Sequence, residues 1–400
     1  MRNFIQKKIF EGKAKEVLPK IRKKALKRGI FFASIAPLYK EVVKGNIADF
    51  SVPAFNIRTL TFDTACSIFK AAKKTLSAAF ILEIASSEME YTKQNPEEFV
   101  LCILGGAIKE KYKGQIFLQG DHFFLKNTSE ATISSLQNLI LQSLAAGFYN
   151  FDIDCSVLST EDNIKYTNHF TEFIRKNQPQ GVEVAVGGEV SSIGGGSASL
   201  TTGGSSCLTT GDDTTPSELE YFLKKVQGLT KVSCQTGTRH GGKVLASGLV
   251  EAVDIDYENI RKLGEIAKQY GLAGIVQHGA STLQDMQFTE LRQAKVLEVH
   301  LSTLFTDIIF DSRYFPKDLK EKMYSWMEQN FAEERESFVS GQQFMKVFRK
   351  KSLGIFKKNI WQMPKKNIKG ISKELGEKFL FFFKVFGVNN TRDLVKKIYT

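Results

Sequence analysis

The sequence predicts an α/β protein built on a (β/α)8 barrel, the TIM-barrel fold, with helical additions at both ends. Eight apolar runs alternate with helix-period segments, and the runs cover 51–57, 79–86, 115–122, 148–155, 181–190, 230–237, 273–279 and 295–301. This alternation is typical of parallel βαβ units that close into a barrel. The length of 400 residues fits a barrel of about 250 residues plus appendages. An open doubly wound sheet would require a glycine-rich phosphate turn after the first strand, and Phe55-Asn56-Ile57 is no such turn.

Helix-period patterns continue on both sides of the eight runs. Residues 3–28 indicate an amphipathic helix or helix pair, and Ala36 to Lys44 indicates one more. Further patterns cover 316–338, 342–356, 371–386 and 390–399. We expect the phenylalanine-rich run at 379–388 to pack against the barrel. The chain thus divides into an N-terminal helical segment at 1–48, the barrel at 49–310 and a basic, all-helical extension at 311–400.

The net charge of +12 is concentrated at the two ends of the chain. Residues 1–30 hold 11 Lys/Arg against 2 Asp/Glu, and residues 346–400 hold 15 against 3, which leaves residues 31–345 at −9. A basic tail can bind nucleic acid by counterion release, but no nucleic-acid motif accompanies the charge. We therefore expect solvated faces of packed helices and no nucleic-acid partner.

The composition, with 42% hydrophobic and 24% charged residues, is that of an ordinary globular protein. The longest apolar runs are far too short to cross a bilayer, and the basic N-terminus leads into no apolar signal segment. The five cysteines are scattered and form no Cys-x-x-Cys pair, a pattern typical of reduced thiols. The sequence therefore predicts a cytoplasmic protein without membrane association.

Histidines mark the ends of several predicted strands. His122, His240, His278 and His300 lie at or near the ends of the third, sixth, seventh and eighth strands, while His169 falls in a helix. The C-terminal ends of barrel strands form one rim, so the imidazoles of the third, sixth and seventh strands can bind one Zn²⁺ and leave a position open for substrate. A lone histidine is more often structural, whereas several at one rim favour a metal site.

Carboxylates accompany these histidines. Asp121 precedes His122, Asp154 ends the fourth strand and Glu189 ends the fifth. These groups can orient the histidines, bind a metal themselves or exchange protons with a substrate. No strand-end lysine suits the role of a Schiff-base nucleophile, so the pattern favours metal-dependent chemistry.

Six motifs, in order, resemble those of the class II, zinc-dependent fructose- and tagatose-bisphosphate aldolases. They are VPAFN at 52–56, LQGDH at 118–122, DIDCS at 152–156, GEV followed by GG at 188–195, GTRHG at 237–241 and HGAS at 278–281. The resemblance runs from about Ser51 to Phe305. Each motif is weak alone, but their common order makes the resemblance specific.

The resemblance implies a zinc-dependent aldehyde-lyase of carbohydrate metabolism, such as glycolysis. It would reversibly cleave a ketose phosphate or bisphosphate, such as fructose 1,6-bisphosphate, into dihydroxyacetone phosphate and an aldehyde through a metal-stabilised enediolate. Asp121 matches the catalytic acid/base. The implied Zn²⁺ ligands are His122, His240 and His278, with Glu189 and Asp154 at an alternative metal site. The implied substrate and phosphate contacts are Asn56, Gly241, Lys243, Gly279, Ser281, Ser302 and Thr303. A monovalent cation, K⁺ or Na⁺, and a homodimer or higher homo-oligomer are also implied.

The chain departs from the family pattern at several positions. Gln119 stands where the family usually has His, His300 is new on the last strand, and the loop at 194–211 lacks the acids that supply the family's proton-abstracting glutamate. These changes predict an altered or narrowed substrate. One alternative is an aldolase-like protein that binds zinc and a sugar phosphate, has weak or no activity and acts as a regulatory or structural partner. Another is a zinc-dependent phosphohydrolase or endonuclease, which predicts more clustered ligands.

Overall fold

A computed structural model gives the fold and describes residues 1–47, 49–191, 213–238, 242–251 and 253–400. In these residues one parallel sheet holds the strands β1 (Ile30–Ala33), β2 (Val52–Asn56), β3 (Ile81–Ala85), β4 (Gly114–Phe124), β5 (Asn150–Asp154), β6 (Ala185–Glu189), β7 (Lys231–Ser233), β8 (Ile275–Gln277) and β9 (Glu298–Leu301). Its order is β1-β4-β3-β2-β9-β8-β7-β6-β5, and a β4–β5 pairing closes the ring. Strands β2 to β9 form an eight-stranded barrel, which confirms the predicted fold.

Helices follow the strands and extend from both ends of the chain. They are α1 (Arg2–Phe10), α2 (Ala14–Leu26), α3 (Ala36–Val43), α4 (Thr61–Thr75), α5 (Ser86–Thr92), α6 (Pro96–Glu110), α7 (Glu130–Ala146), α8 (Thr160–Asn177), α9 (Pro216–Lys225), α10 (Tyr257–Gln269), α11 (Asp285–Gln293), α12 (Thr303–Asp311), α13 (Lys317–Asn330), α14 (Ala332–Glu336), α15 (Gly341–Phe348), α16 (Lys357–Trp361), α17 (Lys365–Val385) and α18 (Arg392–Tyr399). Two 3₁₀ turns cover Ala280–Thr282 and Arg349–Ser352. Side-chain caps at Asn95, Ser129, Ser159 and Thr215 fix helix starts by accepting backbone N–H bonds.

Strand β1 lies outside the eight predicted runs. It pairs with residues 114–117 of β4, below the part of β4 that pairs with β5. The chain then enters α3, whose Leu38 and Tyr39 are buried. The Tyr39 hydroxyl donates a hydrogen bond to Glu298 on β9, so α3 reaches into the barrel from its N-terminal end.

The phenylalanine-rich run of α17 packs against the barrel, as predicted. Phe379, Phe382 and Phe383 are fully buried, and their ring centroids lie 5.0, 6.2 and 5.6 Å from that of Phe55 on β2. Aromatic pairs at such distances add to the stability gained from burial. Helix α17 thus shares one hydrophobic core with the barrel, whereas Phe344, Met345 and Phe348 of α15 form a separate cluster with Met327.

None of the described helices is both long enough and apolar enough to span a membrane. Cys66, Cys102, Cys155 and Cys234 are buried free thiols, which agrees with the expectation of reduced cysteines. Cys207 lies outside the described residues.

Candidate active site

A bulge in β4 places Asp121 and His122 in the same region of the barrel mouth. The register of β4 against β5 shifts between Gly120 and Phe123, and His122 has a left-handed backbone with φ of 39°. In a regular strand two consecutive side chains point to opposite faces. The extra residue of a bulge redirects one of them. The Phe123 ring packs over Gly120 and against the Phe151 ring.

Two imidazoles and two carboxylates meet at the mouth of the barrel, and we call His122, Asp154, Glu189 and His278 the mouth group. His122 Nδ1 lies 2.6 Å from Glu189 Oε1 and 3.0 Å from Asp154 Oδ2. His278 Nε2 lies 3.9 Å from Glu189 Oε1, and the two imidazole centroids are 4.3 Å apart. The structure therefore brings four of the expected metal-binding residues together.

The mouth group suits a divalent cation. Ligand atoms of His122, Glu189 and His278 lie within 4.8 Å of one another, and nitrogen and oxygen donors of this kind bind Zn²⁺. Both Glu189 oxygens are buried, and among the described residues the close contact of Oε1 with His122 Nδ1 lacks the geometry of a hydrogen bond. Burial, followed by the charge of Asp154, raises the pKa of Glu189 to about 8. The residues present therefore fit a metal ion, because a bound cation would stabilise the ionised carboxylate.

The carboxylates also act on the imidazole of His122. Burial alone would lower its pKa, but the charges of Glu189 and Asp121 raise the pKa of His122 well above its usual value. Asp154 Oδ1 accepts hydrogen bonds from the Ser156 hydroxyl at 2.6 Å and the Ser156 N–H at 3.1 Å. These bonds orient the Asp154 carboxylate while its other oxygen faces His122.

Two expected site residues, His240 and Gly241, lie outside the described residues. The segment that leads to them is anchored beside the mouth group. Thr238 Oγ1 donates a hydrogen bond to the carbonyl of His278 at 2.8 Å. The preceding Gly237 has φ of 83°, a conformation that favours glycine.

Asp121 borders the mouth group from within the barrel. Its Oδ2 accepts a hydrogen bond from the Asn56 amide at 3.2 Å. Its Oδ1 lies 3.9 Å from His122 Nε2 and 3.3 Å from His300 Nδ1. The expected acid/base and the expected substrate contact Asn56 are therefore adjacent, and both are buried.

Expected phosphate contacts converge at the end of β8 and β9. Gly279, with φ of 68°, leads into the 3₁₀ turn, and Ser281 Oγ accepts the Ser302 N–H at 2.7 Å. Thr303 begins α12, where free backbone N–H groups can face an anion. Lys243 lies apart from this cluster: its ammonium is 3.1 Å from Glu251 in an exposed ion pair.

Cationic side chains that the sequence did not mark lie beside this phosphate turn. Arg58 Nε is 2.6 Å from Glu88 Oε1, and the Ser302 hydroxyl donates to the same oxygen at 3.4 Å. The 3₁₀ turn at 349–352 packs against α5 and brings Lys350 to this corner. There burial, and then the charge of Arg58, lower the pKa of Lys350 to about 8. The only sequence signal for these cationic residues is the VPAFN motif, which ends two residues before Arg58.

Below the mouth, the barrel interior contains charged side chains where apolar ones are usual. We call Glu83, Asp152, Lys231 and Glu298 the charged layer; they come from the alternate strands β3, β5, β7 and β9 and are all buried. The Lys231 ammonium forms an ion pair with Glu298 and lies 2.9 Å from Asp152 Oδ1. It also donates to Gln119 Oε1 at 2.8 Å. In the sequence, each member appears as a charged residue within one of the predicted strands.

Comparisons with known proteins agree with this architecture. Among curated proteins, no sequence matches the chain. Structural neighbours include the fructose-bisphosphate aldolase of Campylobacter jejuni, with a TM-score of 0.55, 15% identity and 90% of this chain and 96% of the other covered. The YdjI aldolase of Escherichia coli K12 has a TM-score of 0.54 and 14% identity, with 90% of this chain and 98% of the other covered. The fructuronate-tagaturonate epimerase UxaE of Cohnella laeviribosi has a TM-score of 0.58 and 10% identity, with 85% of this chain and 82% of the other covered.

At these identities the structural neighbours show the fold alone. The family is shown by a sequence match: the protein-family model described as fructose-bisphosphate aldolase class-II matches residues 38–359. That match covers the whole barrel and part of the C-terminal helices. The chain therefore belongs to the class-II fructose-bisphosphate aldolase family.

Proposed function

We propose that the protein is a zinc-dependent aldolase that reversibly cleaves a ketose phosphate or bisphosphate into dihydroxyacetone phosphate and an aldehyde. The observation that carries the proposal is the mouth group, in which donors from the partly exposed His122 and the buried Glu189 and His278 lie within 4.8 Å of one another. A bound divalent ion would supply Lewis-acid stabilisation of the negative charge that develops on the ketone side when the carbon–carbon bond breaks.

Asp121 is suited to the proton transfer of this reaction. In the cleavage direction its carboxylate accepts the proton of the hydroxyl group next to the breaking bond, as that carbon becomes the aldehyde. The bond electrons pass to the dihydroxyacetone phosphate half. In the condensation direction Asp121 returns the proton. The hydrogen bond from Asn56 at 3.2 Å holds the carboxylate beside the mouth group.

The phosphate turn supports an anionic substrate. Gly279, Ser281 and Ser302 offer backbone N–H and hydroxyl groups at the barrel mouth, a common way of binding phosphate. Arg58 and Lys350 add positive charge beside it. Family membership further supports a cytoplasmic homo-oligomer as part of this proposal.

A coupled cleavage assay tests the proposed function. We expect turnover of at least one of fructose 1,6-bisphosphate, tagatose 1,6-bisphosphate and fructose 1-phosphate, with metal content near one zinc per chain. EDTA should abolish turnover, and added Zn²⁺ should restore it. His278→Ala should lose both zinc and activity, whereas His169→Ala, on an exposed face of α8, is the matched control. Activity that survives both chelation and His278→Ala would overturn the proposal.

The alternative is an aldolase-like protein that binds zinc and a sugar phosphate with weak or no turnover. The lack of acidic residues at 194–211 favours it, because the family's proton-abstracting glutamate comes from that loop. Tight binding of phosphoglycolohydroxamate, an enediolate mimic, without turnover of the three sugars would support this alternative over the enzyme.

A further inference from the structure

The histidine on the last barrel strand connects the charged layer to Asp121. His300 Nε2 lies 2.7 Å from Glu298 Oε1. On the other side of the ring, Nδ1 lies 3.3 Å from Asp121 Oδ1 and 3.2 Å from Glu83 Oε1. His300 is only 4% exposed, so solvent does not compete for these contacts. The imidazole therefore spans the two levels of the barrel.

We propose that His300 is a positioning residue that fixes the Asp121 carboxylate through the chain Asp121–His300–Glu298–Lys231. This inference rests on the proposed function, in which Asp121 accepts the substrate proton. Its basis is the geometry of the chain, in which the facing nitrogen and oxygen atoms of consecutive members lie within 3.3 Å of one another.

The orientation of the His300 ring is set from below. Glu298 receives the Lys231 ammonium and the Tyr39 hydroxyl, so its carboxylate has a fixed position. A carboxylate that accepts from one imidazole nitrogen fixes the plane of the ring and the direction of the other nitrogen. That other nitrogen lies between Glu83 Oε1 at 3.2 Å and Asp121 Oδ1 at 3.3 Å. Since the Asn56 amide holds Oδ2, both oxygens of Asp121 have a defined neighbour.

The groups that face His300 are mostly anionic. Glu83 comes from β3, Asp121 from β4, Asp152 from β5 at 3.7 Å from Nε2, and Glu298 from β9. The His278 ring, after β8, lies 4.1 Å away between centroids. Carboxyl oxygens therefore lie within 4 Å of both ring nitrogens.

Lys231 serves this chain as a fixed cation and is not available as a nucleophile. It is fully buried, and its ammonium is engaged by Glu298, Asp152 and Gln119. Burying such an ionic layer is expensive compared with apolar packing. A layer placed directly beneath Asp121 is consistent with a demand for precise orientation at that carboxylate.

Two substitutions separate positioning from packing. His300→Asn keeps an amide N–H that can reach Asp121, whereas His300→Leu removes every donor. We expect His300→Leu to lower kcat about 10- to 100-fold, the scale seen when a group that orients a site residue is lost, with KM within about 3-fold and zinc content unchanged. His300→Asn should recover most of kcat. Equal losses in both variants, or a change confined to KM, would contradict the proposal.

A second measurement does not depend on turnover. The chain has five histidines, so the ¹⁵N spectrum of the imidazoles can be assigned by comparing wild type with His300→Asn. We expect Asp121→Asn to shift the Nδ1 resonance of His300 and Glu298→Gln to shift the Nε2 resonance. Asp318→Asn, in the distant helix α13, is the control and should shift neither.

The two proposals fail in different ways. An unchanged His300 spectrum in folded Asp121→Asn overturns the positioning role, whether or not the protein cleaves sugars. If the variants show the expected shifts but the wild-type protein cleaves none of the three sugars, the contact between His300 and Asp121 stands and the proposed function is refuted. Thermal melting of each variant identifies any that fails to fold.

Discussion

The mouth group and the charged layer lie at adjacent levels of one barrel, and both bury carboxylates, but they balance the charge differently. In the charged layer the Lys231 ammonium sits between Glu298 and Asp152. In the mouth group, among the residues the structure describes, the cation-forming partners of Asp154 and Glu189 are imidazoles, with no lysine or arginine within 4.0 Å. One level pairs its carboxylates with an ammonium group, and the other pairs them with imidazoles.

The pKa values follow this difference. Burial raises the pKa of Glu298, but Lys231 and His300 outweigh burial and hold it below its usual range. Burial and the charge of Asp154 raise the pKa of Glu189 to about 8. A lysine side chain holds the carboxylates of the charged layer in fixed positions, whereas carboxylates without such a partner can bind a metal ion that takes part in chemistry.

The largest effect is expected when the internal cation of the charged layer is removed. Lys231→Met leaves Glu298 and Asp152 buried without their ammonium, which should cost about 3–5 kcal/mol of unfolding free energy. Denaturant unfolding measures this loss. Adding Glu298→Gln should recover part of it, and Lys225→Met, which breaks an exposed pair with Glu161, should cost less than about 1 kcal/mol. If Lys231→Met lowered the unfolding free energy by less than about 1 kcal/mol, the charged layer would not depend on its ammonium group, and the comparison with the mouth group would fail.

Zinc should stabilise the protein through the mouth group alone. At a free Zn²⁺ concentration 100-fold above Kd, mass action predicts a gain of about 2.7 kcal/mol in unfolding free energy. Glu189→Ala should lose most of this gain, and Asp152→Asn, in the charged layer, should keep it. Thermal melting with and without zinc measures both. If stabilisation by Zn²⁺ were lost in Asp152→Asn and kept in Glu189→Ala, the metal would bind in the charged layer, which would contradict the prediction.

Space around the charged layer is provided by Gly187 on β6. A Cβ there would collide with the Asp152 carboxylate and lie 3.0 Å from Lys231 Cε, so Gly187→Ala should cost about 1–3 kcal/mol through overpacking. Gly264→Ala, in α10 with nothing within 4 Å of the new Cβ, is the control. It should instead add about 0.5–1 kcal/mol. Denaturant midpoints that shift alike in both variants would contradict the tight packing.

The pH dependence of stability offers a subtler test in metal-free protein. Burial, and then the charge of Asp121, raise the pKa of Glu83 to about 8 from 4.5. The folded state therefore keeps a proton that the unfolded chain releases near pH 4.5, and the stabilising contribution is lost as the pH rises through about 8. We expect Glu83→Gln to reduce the decline in unfolding free energy between pH 5 and 8 by at least about 1 kcal/mol.

Unfolding curves at several pH values measure this slope. Glu258→Gln, which removes an exposed carboxylate of α10, is the control and should leave the slope unchanged. A Glu83→Gln slope equal to that of wild type would show that Glu83 is ionised in the folded protein across this range.

The smallest effect is expected at Lys243, outside both levels. Its pair with Glu251 is exposed, so Lys243→Met should change the unfolding free energy by less than about 0.5 kcal/mol. The same variant decides its expected phosphate contact: a rise in KM at unchanged stability would support the contact, and an unchanged KM would exclude it.

Much of the fold and part of the site could be predicted because their signals are local. Apolar runs and helix-period segments depend on residues near each other in sequence, and they locate the barrel strands. Strand ends are equally local, which is why His122, Asp154, Glu189 and His278 could be assigned to one rim. The strand β1 was missed because four residues after a basic helix carry too short a pattern.

Only the tertiary structure decided how these residues meet. The left-handed backbone of His122 and the bulge beside it depend on pairing with β5, and they allow Asp121 and His122 to serve one site. Lys231 on β7 and Glu298 on β9 meet inside the barrel although 67 residues separate them in sequence. The sequence determined which groups reach the interior, because period and strand position are properties of the chain. Which charge faces which was decided by barrel closure, because it depends on distances between strands that are remote in sequence.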